Sequence, residues 1–230
     1  MYTTLLLDLD DTILDFKKAE RFALEKTLSS FGLTPSEEVC ARYSKINQLH
    51  WEMLERKELT REQVKVQRFE KLFSEYGIEA DSVLCAKRYL ENLSCGHYFL
   101  PDAKQALEKL SKQYSLYLVS NGVLDVQMPR LKSSAIIKYF QKIFISEVVG
   151  VDKPDPLFFS RVFEQIPNFD KEKTMIVGDS LTSDILGGIN AGITTCWVNP
   201  AQKPPRSDIP ADYTICSIGQ LEALLASLNK

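Results

Sequence analysis

Asp8-Leu9-Asp10-Asp11-Thr12 and Gly178-Asp179-Ser180-Leu181-Thr182-Ser183-Asp184 gather carboxylates at two widely separated places in the chain. Ser120-Asn121-Gly122 and Lys153-Pro154 fall between them. Carboxylates brought into one crevice repel unless a divalent cation neutralises them, and oxygen donors of this kind suit Mg²⁺. Lys153 and the Ser120 hydroxyl would add positive potential and a donor for an anionic oxygen. Together these are the parts that phosphoryl transfer needs. Each part alone has a plainer explanation. Acidic turns after strands are common, and Ser120-Asn121-Gly122 alone reads as a turn. A lone Lys153 is by default a solvated lysine. Asp179 and Asp184 alone could simply cap a helix and complement its dipole. It is the ordered combination, each piece after a strand or in a strand–helix loop, that points to chemistry.

Such pieces converge only if something aligns the strand ends. Thr3–Leu7, Ser115–Val119, Lys142–Ile145, Lys173–Val177, Thr194–Val198 and Tyr213–Cys216 are short apolar runs, as expected of strands buried on both faces. From residue 96 onward they alternate with amphipathic stretches, which predicts a parallel sheet with helices on both sides. Residues 15–95 differ: apolar residues recur at helical spacing, Gly32 and Gly77 end helices, and Thr34-Pro35-Ser36-Glu37 and Thr60-Arg61-Glu62-Gln63 read as capping boxes. The sequence thus predicts an α/β fold with a Rossmann-like parallel sheet. Residues 1–14 and 96–230 form its core, and 15–95 form a helical bundle inserted as a cap after the first strand. An insertion there hangs over the carboxyl edge of the sheet, where such folds bind ligands.

Composition narrows the classes further. The chain has 230 residues, 44% of them hydrophobic and 26% charged, as in an ordinary folded protein. Its net charge of −3 argues against a partner that is a nucleic-acid polymer. The five cysteines form no CxxC pair and fit reduced thiols in the cytoplasm. Leu5-Leu6-Leu7 lacks the basic flank of a signal peptide, and no apolar run reaches membrane-span length. The expected partner is a small phosphorylated metabolite, with no membrane, and the protein a monomer or homodimer.

The four motifs, in this order, resemble those of the haloacid dehalogenase superfamily phosphatases that carry a helical cap after the first strand. The resemblance covers essentially the whole chain. Asp-Asp-Thr in the first motif, followed by Ile13-Leu14-Asp15-Phe16, is similar to the bacterial pyrimidine nucleotidases. The resemblance implies Mg²⁺ and makes Asp8 the nucleophile that forms an aspartyl phosphate. Asp10 would be the acid and then the base, returned to the site by a chain that bends after Asp8. The Asp10 carbonyl, Asp8 and Asp179 would bind the metal, while Asp184 acts behind them or pairs with Lys153. Ser120, Asn121, Gly122, Thr12 and Lys153 would contact phosphate. The implied activity is hydrolysis of a phosphomonoester, best guessed as a nucleoside 5′-monophosphate. A sugar phosphatase, a phosphoglycolate-type phosphatase and a phosphomutase share this core. Dehalogenases lack the aspartate that stands here as Asp10. Phosphoacceptor signalling modules are about half as long and have no helical insert.

The remaining candidates have plain readings. His50 sits on a helical stripe and suits a core position, and His97 is isolated. Trp51 belongs first to the bundle core. Lys17, Lys18 and Arg21 open the first cap helix as a solvated face or as substrate contacts. Asp11 stands where many relatives carry glycine and reads as a turn acid. Gly187-Gly188 would let a helix approach the sheet closely.

Overall fold

The structure is a computed structural model and describes residues 1–228. The apolar runs become β1 (Thr4–Leu7), β2 (Ser115–Ser120), β3 (Lys142–Ile145), β4 (Thr174–Gly178), β5 (Thr194–Val198) and β6 (Tyr213–Ile215). They form one parallel sheet in the order β3-β2-β1-β4-β5-β6. Every residue of β1 and β4 is buried, which explains their unbroken apolar character. The register sets Leu7 beside Leu118 and Val177, and the Asp8 N–H donates to the Val177 carbonyl at 3.0 Å. Asp8, Ser120 and Asp179 therefore leave the sheet along one edge. β1 continues to β2 on one side and is flanked by β4 on the other. That reversal of winding is the switch point where sheets of this strand order open a crevice.

The chain divides into two compact units. The α/β unit comprises Met1–Asp15, Tyr98–Leu124 and the chain from Ser134 onward. The other, helical unit comprises Phe16–His97 and Asp125–Ser133. It holds α1 (Phe16–Ser29), α2 (Glu37–Glu55), α3 (Arg61–Tyr76) and α4 (Ser82–Leu93). The α/β unit continues with α5 (Ala103–Leu110). The helix after β2, α6 (Leu124–Ser133), differs from the sequence-based division, which leaves it with the sheet. From Asp125 it belongs to the helical unit, and the reason is a buried arginine. Arg130 is fully enclosed, with Nε donating to the Gly96 carbonyl at 2.6 Å and Nη1 to Gln127 Oε1 at 2.7 Å.

Local signals mostly place the helix ends. Thr60 and Gln63 make the expected capping box, each side chain bonding the other's backbone N–H, at 3.3 and 2.7 Å. Gly77 closes α3 in the left-handed conformation. At α2 the cap is Ser36, whose Oγ accepts from the Val39 N–H at 3.3 Å, so Thr34 and Pro35 precede the helix instead of opening it. Inside the helical unit Tyr43, Phe69 and Tyr89 pack with ring centroids 5.1–5.4 Å apart. Buried Asn47 bridges Glu20 (2.7 Å) and Arg68 (2.8 Å) beside them.

In the α/β unit the remaining helices are α7 (Ser146–Val149), α8 (Pro156–Phe163), α9 (Leu186–Ala191) and α10 (Leu221–Leu228). One face of the sheet packs Leu6, Val119, Phe144 and Ile176 against Phe158, Phe159 and Val162 of α8. Gly188 lets α9 lie close on the sheet: a Cβ there would stand 2.5 Å from Ile176 Cγ2 and 2.6 Å from Thr195 Cγ2. Among the described residues no helix is long and apolar enough to cross a membrane.

Candidate active site

Beyond β1 the chain bends at once. The Ile13 and Leu14 N–H groups both donate to the Leu9 carbonyl at 2.9 Å, and the Asp11 N–H donates to the Leu14 carbonyl at 2.8 Å. Asp11 takes φ 55°, a left-handed conformation that aspartate tolerates better than most residues and glycine takes freely. The turn role expected for Asp11 therefore has a backbone cause. The bend leaves Asp10 partly exposed, its charge acting on Asp8. Thr12 is enclosed within the turn, and its Oγ1 has no hydrogen-bond partner among the described residues.

Lys153 is the centre of the constellation. Its side chain is 1% exposed, and Nζ donates to Asp8 Oδ1 (2.8 Å), Asp184 Oδ1 (2.6 Å) and the Val119 carbonyl (2.9 Å). An ammonium has three hydrogens, so each has an acceptor within the protein. Burial alone would pull its pKa down, but the charges of Asp184 and Asp8 hold it above the usual lysine value. Residues 145 positions apart thus meet at one nitrogen.

Asp184 is buried beside Lys153. Oδ1 faces Lys153, and Oδ2 accepts the Ser180 N–H at 3.1 Å. A Cβ on Gly178 would come within 2.2 Å of Oδ2, so that carboxylate needs a glycine at the end of β4. The helix after β4 begins as a π-helical turn, Leu181–Ile185, capped by Ser180, whose Oγ accepts the Ser183 N–H at 3.2 Å. Such widened turns recur at functional sites. Here the turn presents the Asp184 side chain back toward β4.

Asp179 follows Gly178, with its carbonyl accepting the Trp197 indole N–H at 2.8 Å. Burial, then the charges of Asp8, Asp184 and Asp11, push its carboxyl well above the carboxylate range. Asp8 is pushed up too, first by burial, against the opposing pull of Lys153. Oxygens of Asp8, Asp179 and Asp184 lie within 4.8 Å of one another. Two buried carboxylates and the partly exposed Asp179 around one ammonium are short of positive charge, and the donors are all hard oxygens. This set suits a small divalent cation such as Mg²⁺. With both Asp184 oxygens already engaged, Asp8 and Asp179 are the carboxylates best placed to hold it.

Ser120 ends β2, 2% exposed, with Oγ accepting the Gly122 N–H at 3.1 Å. Asn121 turns toward Lys153, where its carboxamide bonds the backbone. Sequence reasoning missed the supporting contacts of Val119, Ser183 and Trp197. Trp197 pairs with Gly178 in the register of β5 on β4, a neighbour that only the folded sheet reveals. His50 is buried, with Nδ1 2.7 Å from the Ile46 carbonyl. Lys17, Lys18 and His97 are exposed. Arg21 makes surface ion pairs with Glu25 and Glu37.

The family described as haloacid dehalogenase-like hydrolase matches residues 5–198. The HAD-hydrolase YfnB of Bacillus subtilis is 42% identical over 224 residues, 97% of this chain and 95% of that one. Its magnesium-bound crystal structure superposes with a TM-score of 0.94, covering 97% of this chain and 98% of that chain. The pyrimidine 5′-nucleotidase PynA of Streptococcus pneumoniae is 38% identical over 96% of this chain and 93% of its own length. The Escherichia coli pyrimidine 5′-nucleotidase YjjG is 29% identical over 96% of each chain.

Proposed function

The chain belongs to the haloacid dehalogenase-like hydrolase family, and from that premise we propose that it is a phosphomonoesterase that hydrolyses nucleoside 5′-monophosphates, pyrimidine nucleotides foremost. The observation that carries the chemistry is the meeting of Asp8, Lys153, Asp184 and Asp179 at the carboxyl edge of the sheet. Similarity to two pyrimidine 5′-nucleotidases along nearly the whole chain supports the substrate class.

In this mechanism the Asp8 carboxylate attacks phosphorus and the ester oxygen departs, leaving an aspartyl phosphate. Asp10 donates the proton that the departing nucleoside oxygen needs, then takes one from the water that attacks the aspartyl phosphate. Inorganic phosphate leaves and Asp8 is regenerated. Lys153 holds Asp8 in place and offsets the charge of Asp8 and Asp184 throughout. Ser120 Oγ and the Gly122 N–H, paired with each other in the structure, would orient the phosphate oxygens. Thr12, inside the turn, would shape the loop that carries Asp10. Mg²⁺, held by Asp8, Asp179 and the Asp10 carbonyl, would neutralise the carboxylates and the incoming phosphate when bound. The residues that read the base lie beyond these phosphate contacts, which suit any phosphate ester.

A phosphate-release panel with Mg²⁺, and again after EDTA, tests this reading. Pyrimidine nucleoside monophosphates should give the highest kcat/KM, with activity lost in EDTA and restored by Mg²⁺. A sugar phosphate at the head of the ranking would move the substrate class. No release from any ester would remove the phosphatase function altogether.

A further inference from the structure

Asn121 stands in the motif that the family resemblance ties to phosphate, yet its carboxamide is directed elsewhere. Oδ1 accepts the Lys153 N–H at 2.9 Å, and Nδ2 donates to the Lys153 carbonyl at 2.8 Å. One side chain thus closes on both backbone polar groups of a residue 32 positions away. Nδ2 also donates to Ser183 Oγ at 3.3 Å. A carboxamide has two N–H hydrogens, so the protein itself engages both.

We propose that Asn121 is a positioning residue: it clamps the main chain of Lys153, and so fixes the ammonium between Asp8 and Asp184. The kinetic half of this inference rests on the phosphomonoesterase reading; the structural half does not. A lysine side chain is a long flexible stem, so two anchors decide where its nitrogen lies: its acceptors and its root. The acceptors come from the ends of β1 and β2 and from the turn after β4. The root lies in a loop that Asn121 ties to the end of β2 and, through Ser183, to the same turn after β4. Without the clamp the root can drift. A drift of about 1 Å at such a group can cost roughly 100-fold in rate while barely altering ground-state binding.

The test uses the full chain with Asn121→Ala, Asn121→Asp and Ser183→Ala, melting curves accompanying each. Asn121→Asp keeps the acceptor for the Lys153 N–H but loses both donors, and Ser183→Ala removes only the longest bond. Asn121→Ala should lose roughly 100-fold in kcat. KM, and inhibition by inorganic phosphate, should change less than about threefold. Asn121→Asp should lose rate comparably, and Ser183→Ala less than about tenfold. A second readout needs no turnover. In lysine-¹⁵N-labelled protein the buried Lys153 ammonium, assigned with Lys153→Arg, should exchange slowly with water in the wild type. It should exchange fast in both Asn121 variants. If phosphate inhibition weakens by the same factor as kcat/KM, Asn121 is a phosphate ligand and the clamp is wrong. An unchanged kcat and ammonium signal in folded Asn121→Ala overturns it too. Should Asn121→Ala not fold, the other two variants carry the same readouts. A wild type inert toward every phosphate ester would remove the phosphatase reading, while ammonium exchange still decides the clamp.

Discussion

Lys153 has an acceptor for every ammonium hydrogen, and two of the three belong to carboxylates. Its neighbours define the sharpest expectations. Asp8→Asn keeps volume and removes the nucleophilic oxygen, so turnover should fall by about 10⁴-fold or more with the melting temperature retained. A loss within about tenfold would take Asp8 out of that role. Asp179 gives a pH prediction whose sign can be worked out. Its carboxyl is pushed upward from 3.8 by burial and by Asp8, Asp184 and Asp11. The folded chain therefore holds the proton more tightly than the unfolded one. Below the ordinary value ionisation costs nothing, and the cost grows as pH rises through the window above it. In EDTA, Asp179→Asn should melt above wild type, and the gap should widen as pH rises above the ordinary carboxylate range. Mg²⁺ should close the gap by stabilising wild type alone. A gap that narrows with pH would contradict the burial argument.

Helices and strands hold those residues, and most of them are legible locally. β1 and β4 read as unbroken apolar runs because both faces are covered, and the Thr60–Gln63 box is written in four consecutive residues. The ordered motifs likewise marked the strand ends where Asp8, Ser120 and Asp179 stand. What escapes is set by partners remote in sequence. α6 is a helix with Pro129 inside it, and its place follows from Arg130 reaching a carbonyl 34 residues away. Ser36 caps α2 where the local pattern points to Thr34, because a proline between two hydroxyl residues leaves the starting turn undecided. The Asn121 clamp is invisible because only the fold brings Lys153 to it. Two substitutions test the elements themselves. Gly188→Ala forces a methyl against Ile176 and Thr195 and should destabilise by about 1–3 kcal/mol in urea melts. Thr60→Ala removes one half of a capping box and should cost about 1 kcal/mol. An unchanged midpoint for Gly188→Ala would mean that α9 yields without cost.

Across the whole molecule the thiols report on integrity. Cys95 and Cys216 are exposed, whereas Cys40, Cys85 and Cys196 are buried. Burial pushes Cys85 and Cys196 up to about 12, and Cys40 upward as well. Only thiolates react with aromatic disulfide reagents, so the native chain should show two fast thiols and the unfolded chain five. A third fast thiol would mark opening of one of the interiors, and Mg²⁺ should slow any such opening in the α/β unit.

The order of strands in the sheet carries one more consequence, for the birth of the protein. Thr4 pairs with Ser115 and with Thr174, which follow it by 111 and 170 positions. At roughly 5–20 residues per second, β1 leaves the ribosome roughly 10–30 s before β4 exists. α1 to α4 can settle in that interval through contacts close in sequence, while β1 waits as an apolar segment, both edges bare until β2 is made and one still bare until β4 is. A nascent chain stalled before β4 therefore carries Asp8 and cannot act. A holdase that shelters β1 during the wait should raise the yield of active protein, measured per chain synthesised, without shifting its final melting temperature.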